Sequence, residues 1–320
     1  MPEMKLSTST LPLPSESTRH VKLADWVELS ALLQKDKAVS KSDVASNFEG
    51  FQEDEATREI VDSIWAELQL RSDFLKEKYP FSANQETLTA KNPEVFNWAY
   101  IFCLLISYVG VADGTKLRWW KKEKIASLFE ELCAEGSKNY IKDEGGVGES
   151  LQFGTPRSTW KKEHKYINNA IVFLKEKIKD GDIVSSVRTR PRRRRGDGGD
   201  GGLDIVAWRH FRDLRPGKII ILGQCATAKN NYMEKIEEAH NFEKQKMRIH
   251  TPHLFGFFLP HLLSDRDDDY REEWQTIANC PSIPFDRIRI ALYGSSWQSG
   301  EFQKIFRKIG PKLKTTTKHF

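Results

Sequence analysis

Residues 218–225 read KIIILGQC, and this run constrains the fold more than any other segment. Four consecutive apolar residues, Ile219 to Leu222, leave no polar face. A strand of this kind must be covered on both sides, which predicts a central strand between layers of helices. Its surroundings fit that role. Residues 203–211 (LDIVAWRHF) read as a strand, and Arg215-Pro216-Gly217 supplies the turn between the two. Residues 182–189 (DIVSSVRT) read as an earlier strand and 254–259 (LFGFFL) as a later buried one. Residues 286–293 (DRIRIALY) suit a strand or a helix. A helix over 160–180 is predicted from the single face formed by Ile167, Ala170, Ile171, Leu174 and Ile178. A second is predicted over 230–248. The order is helix, strand, strand, strand, helix, strand.

The first part of the chain has a different period. A helix is predicted around Trp26 to Leu33. Another covers 53–79, where Ile60, Ile64 and Leu68 form an i, i+4, i+8 stripe widened by Val61, Trp65 and Leu75. Residues 96–112 (FNWAYIFCLLISYVGVA) carry no charge. A membrane span needs about 20 apolar residues, so this shorter run predicts a buried core helix. Residues 121–135 (KKEKIASLFEELCAE) predict one more amphipathic helix. Residues 136–158 are Gly-rich and predict a joint. The expected division is therefore a flexible arm over 1–20, an α-helical domain over 21–140 and a second domain over 150–320, in an α+β fold.

Charge is unevenly placed. The net charge is only +5 over 320 residues, yet residues 186–195 (SVRTRPRRRR) hold six arginines and no acid. Residues 304–318 are also basic. Basic clusters of this kind suit a polyanion, because phosphate contacts dominate nucleic-acid affinity. The alternative is a solvated loop. The four cysteines, at 103, 133, 225 and 280, form no CxxC pair and no zinc spacing. They predict reduced thiols in a cytoplasmic protein. The first residues, MPEMKLSTST, lack the apolar core of a secretory signal. HExxH, GxSxG and P-loop patterns do not occur.

Asp204 opens the strand LDIVAW, on one side with Val206 and Trp208. An acid placed in an apolar strand is costly unless a cation or a cluster of donors offsets its desolvation. Gln224 falls at the same end of the neighbouring strand. A carboxylate and an amide oxygen are hard ligands suited to Mg²⁺ or Mn²⁺. Asp204 can instead close a turn, and Gln224 can cap a strand end.

The element order and the segments GGLDIVAW and IIILGQC resemble the PD-(D/E)xK restriction-endonuclease-like nuclease superfamily, in its Gln-x-Lys variant. The resemblance covers residues 165 to about 240. It implies an αβββαβ domain with a mixed sheet, Mg²⁺- or Mn²⁺-dependent hydrolysis of DNA, and Asp204 and Gln224 as metal-side residues. It also implies a bacterial restriction or antiphage-defence effector, with other defence subunits or further copies of itself as partners. The motif lysine would stand at 226, where the chain has Ala226. Lys229 follows three residues later, and its long side chain can reach the same point. The alternative is a site that binds nucleic acid or assembles complexes without cutting. For the upstream acid that completes the metal shell, Glu163 is the candidate, ahead of Glu176 and Glu149. Arg188, Arg190, Arg192, Arg193, Arg194 and Arg195 lie in the hairpin before the Asp204 strand, where guanidinium groups can hold phosphates.

Overall fold

The computed structural model describes residues 20–48, 55–110, 120–142, 147–154, 166–184, 201–211, 213, 215, 217–227, 232–263 and 268–313. The fold is α+β, and the chain divides into two compact units: residues 1–121 with 298–320, and residues 122–297. Apart from His20, the arm expected over 1–20 lies outside the described residues.

The first unit contains α1 (His20–Leu33), β1 (Ala38–Ser40), α2 (Lys41–Ala45), α3 (Glu55–Leu75), β2 (Phe81–Ala83), β3 (Thr87–Ala90) and α4 (Trp98–Val109). The uncharged run becomes α4, which buries nearly every side chain. No helix among the described residues is long and apolar enough to cross a membrane. Val61, Ile64, Trp65, Leu68 and Leu75 form the buried stripe of α3, whereas Ile60 is 36% exposed and stands outside it. The expectation of an all-helical N-terminal half needs correction. β1, β3 and β2 form an antiparallel three-stranded sheet in that order. Its strands have three or four residues each, too few for a period of two to be read.

A buried ionic network ties α1, α3 and α4 together. The Arg71 guanidinium donates to Asp25 Oδ1 (2.9 Å), Glu28 Oε2 (2.7 Å), Glu67 Oε1 (2.9 Å) and Val21 O (3.0 Å). The Tyr79 and Tyr100 hydroxyls each donate to Glu28 Oε1 at 2.6 Å. All three carboxylates and the guanidinium are buried.

The second unit contains α5 (Lys122–Ile141), β4 (Val147–Gln152), α6 (Ile167–Ile178), β5 (Asp182–Ile183), β6 (Ile205–His210), β7 (Ile219–Cys225), α7 (Tyr232–Gln245), β8 (Met247–Arg248), β9 (Leu254–Phe258), α8 (Asp268–Asn279), β10 (Ser282–Phe285) and α9 (Arg287–Tyr293). Five strands make one mixed sheet, ordered β10-β9-β7-β6-β4. β4, β6 and β7 pair antiparallel, while β9 and β10 add in parallel. Parallel neighbours need a crossover; α7 links β7 to β9, and α8 links β9 to β10.

The isoleucine run is central, as its composition requires. On one face Ile220, Leu222, Val206 and Trp208 pack with Ala170, Ile171, Leu174 and Ile178 of α6 and Phe242 of α7. On the other face Ile221 and Ala207 pack against Ile141 of α5. The segment DRIRIALY is helical because Asp286 caps it, accepting from Arg289 N at 3.1 Å.

Other expectations need correction. The described part of the joint expected over 136–158 is largely regular: it holds the end of α5 and all of β4, which pairs with β6 over six residues, while 143–146 and 155–158 lie outside the described residues. The helix over 121–135 packs on the sheet and belongs with the second unit. Of the strand expected over 182–189, Asp182–Ile183 is strand and pairs with β8 in a two-stranded ladder apart from that sheet, while 185–189 lie outside the described residues. The helix–strand–strand–strand–helix–strand order is therefore α5, β4, β6, β7, α7, β9, with α6 and β5 inserted after β4 and β8 after α7. The boundary near 140 falls instead at 121, and residues 298–320 return to the first unit as α10 (Gly300–Leu313).

Candidate functional site

At one end of the sheet the ladder between β6 and β7 slips. Ile205 is the ladder partner of Gly223, yet Asp204 N also donates to Gly223 O at 3.0 Å. Two residues thus oppose one, the pattern of a β-bulge, which re-aims a side chain at a sheet end. Gly223 is needed there. A Cβ would strike the Ile205 side chain and lie 2.9 Å from Phe258 Cε2.

The re-aimed Asp204 carboxylate accepts from Cys225 N at 2.8 Å. Its main-chain oxygen accepts from Phe153 N (2.6 Å) and Gly154 N (2.8 Å), just past β4. Asp204 is 7% exposed. Its backbone is therefore held from both neighbouring strands.

Gly154 leads to an acid that the sequence reading missed. The Glu130 carboxylate from α5 fills the space where a Gly154 Cβ would stand. Glu130 is also 7% exposed. Gln152 Nε2 donates to Glu130 Oε2 at 2.9 Å and is itself anchored on Ser127 Oγ at 2.9 Å. Two thiols record the proximity of the acids. Burial pushes the Cys133 thiol up; a hydrogen bond with Cys225 partly reverses this, and the charges of Glu130 and Asp204 add to it. Burial likewise pushes the Cys225 thiol well up, reinforced by Cys133, Asp204 and Glu130. Both carboxylates thus act on one pair of thiols, Cys133 buried and Cys225 half-buried.

Gln224 lies at the same end of β7 but has another partner. Alternation puts it on the α7 side with Leu222, and its Nε2 donates to Glu238 Oε2 of α7 at 3.2 Å. Its Oε1 is buried and has no hydrogen-bond partner among the described residues. Ala226, at the motif lysine's position, is buried, and its amide continues the ladder to Phe258 O at 2.9 Å. Lys229, Glu163 and the arginines at 188, 190, 192, 193, 194 and 195 lie outside the described residues. Of the other acids considered for the metal shell, Glu149 on β4 sits 3.1 Å from His210 Nε2, and Glu176 is on α6.

Among the described residues, no group of three or more His, Cys, Asp or Glu is arranged to hold a metal ion. Two buried carboxylates near each other on the α5 face fit a hard divalent cation, while the unsatisfied Gln224 oxygen lies on the α7 face of the same sheet end.

The sequence signal for Glu130 was present. In KIASLFEELCAE it sits beside Phe129 and within the apolar stripe of Ile125, Leu128, Leu132 and Cys133, where an acid is costly. Comparison of the chain with protein-family models, with curated proteins and with solved structures finds no match.

Proposed function

We infer that the second unit is a divalent-cation-dependent nuclease that hydrolyses DNA phosphodiester bonds, on a fold resembling the PD-(D/E)xK nucleases. The observation that carries this reading is the pair of buried carboxylates, Glu130 and Asp204, at one end of a mixed sheet. The helix–strand–strand–strand–helix–strand order supports it as well. Glu130 takes the role that the sequence reading gave to Glu163. Glu130 and Asp204 are the carboxylate donors for Mg²⁺ or Mn²⁺, whereas Gln224, which the resemblance puts on the metal side, faces α7 on the other side of the sheet from α5.

Glu130 and Asp204 would hold the cation, which would supply Lewis acidity toward the phosphodiester and a more acidic attacking water. The chain's own contribution is positional. The slipped ladder fixes Asp204, Gln152 fixes Glu130, and burial leaves each carboxylate little exposed to bulk water. Lys229 supplies the positive charge near the scissile phosphate in this reading. Restriction or antiphage defence is the biological setting that the resemblance implies.

The test is cleavage of a supercoiled plasmid with Mg²⁺ or Mn²⁺ by the wild type and by Asp204→Ala, Glu130→Ala and Lys229→Ala. Each substitution is expected to lower the rate by about 100-fold or more. Undiminished cutting by Asp204→Ala rejects the site. A second reading, a nucleic-acid-binding or complex-assembly protein without catalysis, is favoured by Ala226 and by the engagement of Gln224 with Glu238. Salt-dependent DNA binding with no cleavage in either metal supports it.

A further inference from the structure

We propose that the solvent-facing side of α10, formed by Lys304, Arg307 and Lys308 in the first unit, is a contact surface for the phosphate backbone of duplex DNA. The helix has two different sides. Phe302, Ile305 and Ile309 are buried. Phe302 lies 4.5 Å from the Phe102 ring and 5.9 Å from the Trp98 ring, centroid to centroid, and Phe306 lies 5.8 Å from Trp98. Lys304, Arg307 and Lys308 are exposed. Their i, i+3, i+4 spacing puts them on one side of the helix within about 6 Å along its axis.

The sign of that side is unusual for this chain. An ordinary solvated helix face mixes charges. α3 exposes Glu55, Arg58, Glu59, Asp62 and Asp73, and α7 exposes Glu234, Glu237 and Lys244. On α10, by contrast, Glu301 in the first turn is the last acid of the chain, since none occurs from Phe302 to Phe320. A chain of net charge +5 has therefore segregated cations here. Three long cationic side chains on one side of the helix, with Glu301 as the one exposed acid at its N-terminal end, suit a row of phosphates, one charge every ~3.4 Å along each strand. A lipid surface fits less well. An interfacial helix must bury its apolar side in the bilayer, and on α10 that side is occupied by Trp98 and Phe102.

The inference rests on the nuclease reading only for the choice of DNA as the polyanion; it requires no catalysis. The experiment measures binding of the full chain to a fluorescent DNA duplex by anisotropy in EDTA across a salt series. Wild type is compared with Lys304→Ala/Arg307→Ala/Lys308→Ala, and with a control that removes three exposed cations elsewhere in the same unit, Lys35→Ala/Arg58→Ala/Lys78→Ala. The α10 variant is expected to lose about tenfold or more in affinity near 0.1 M salt, and its log–log salt slope to become shallower by about 2–3. The control, and the charge-conserving Lys304→Arg/Arg307→Lys/Lys308→Arg, are expected to match wild type. Binding is read in EDTA, where no metal-dependent cleavage occurs, so failure of catalysis and failure of this surface are separable. Four results overturn the proposal: a wild type that does not bind the duplex in EDTA, an α10 variant with wild-type affinity and slope, an equal loss in the control, or binding to anionic phospholipid vesicles that depends on the same three residues.

Discussion

Gly154→Ala tests the candidate site with little disturbance elsewhere. The added Cβ meets Glu130 Cδ at 2.8 Å and Oε1 at 2.9 Å, with Oε2 closer still. Gly154 cannot retreat easily, because its amide donates to Asp204 O at 2.8 Å. The Glu130 side chain must swing away instead. That breaks the Gln152 Nε2–Glu130 Oε2 bond, a hydrogen bond to a charged group worth about 1.5–3 kcal/mol. Gly154 is not among the residues in the left-handed region, so alanine returns about 0.4–1 kcal/mol through the unfolded chain. The net loss is about 1–2 kcal/mol, or about 2–8 °C in Tm for a domain of this size. Cation affinity should fall much further, by about 10–100-fold, since one of two carboxylate donors has lost its placement. Calorimetric titration with Mn²⁺ alongside thermal unfolding measures both. The decisive comparison is a double-mutant cycle with Glu130→Ala, which removes the group that the new Cβ strikes. In that background Gly154→Ala should be nearly neutral for Mn²⁺ affinity. Wild-type Mn²⁺ affinity in Gly154→Ala alone, or strictly additive losses in the cycle, would refute the argument.

Two further substitutions probe stability. Arg71→Met leaves the carboxylates of Asp25, Glu28 and Glu67 buried without their shared cation, so it should cost at least about 3–5 kcal/mol; a loss under about 1 kcal/mol in urea unfolding at pH 7 contradicts the network. Asp180 titrates in the opposite direction from a merely buried acid. Burial pushes its carboxyl up, but hydrogen bonds from the Thr251 hydroxyl and from the amides of Gly217, His250 and Thr251 outweigh this and hold it below the usual range. Its contribution is therefore present above the unfolded pKa of about 3.9 and is lost as pH falls through the lower folded value. Asp180→Asn should destabilise the second unit by about 1–3 kcal/mol at pH 7, with the difference from wild type shrinking toward zero in denaturant titrations below about pH 3. A difference that does not change with pH rules out the assigned bonding.

The sequence alone determined the centre of the second unit. An uninterrupted apolar run cannot sit at a solvated edge, so KIIILGQC had to be an inner strand, and the acid beginning LDIVAW had to lie beside it. The strongly periodic or uncharged helices were legible for the same reason, because burial of one stripe or of a whole surface leaves a pattern in the residues themselves. What tertiary structure decided was which segments complete the sheet. β4 reads VGESLQ, with little β propensity, and its place beside β6 depends on backbone hydrogen bonds that carry almost no sequence signature. With β4 in the sheet, α5 covers the face opposite α6, and so brings Glu130 to Asp204. The one-residue slip at Gly223 was equally invisible, because a bulge alters the facing of a single side chain without altering the pattern around it. Asp204 stood out within its own strand and Glu130 within its own helix; that the two acids, 74 positions apart in the chain, are neighbours was decided only by the fold.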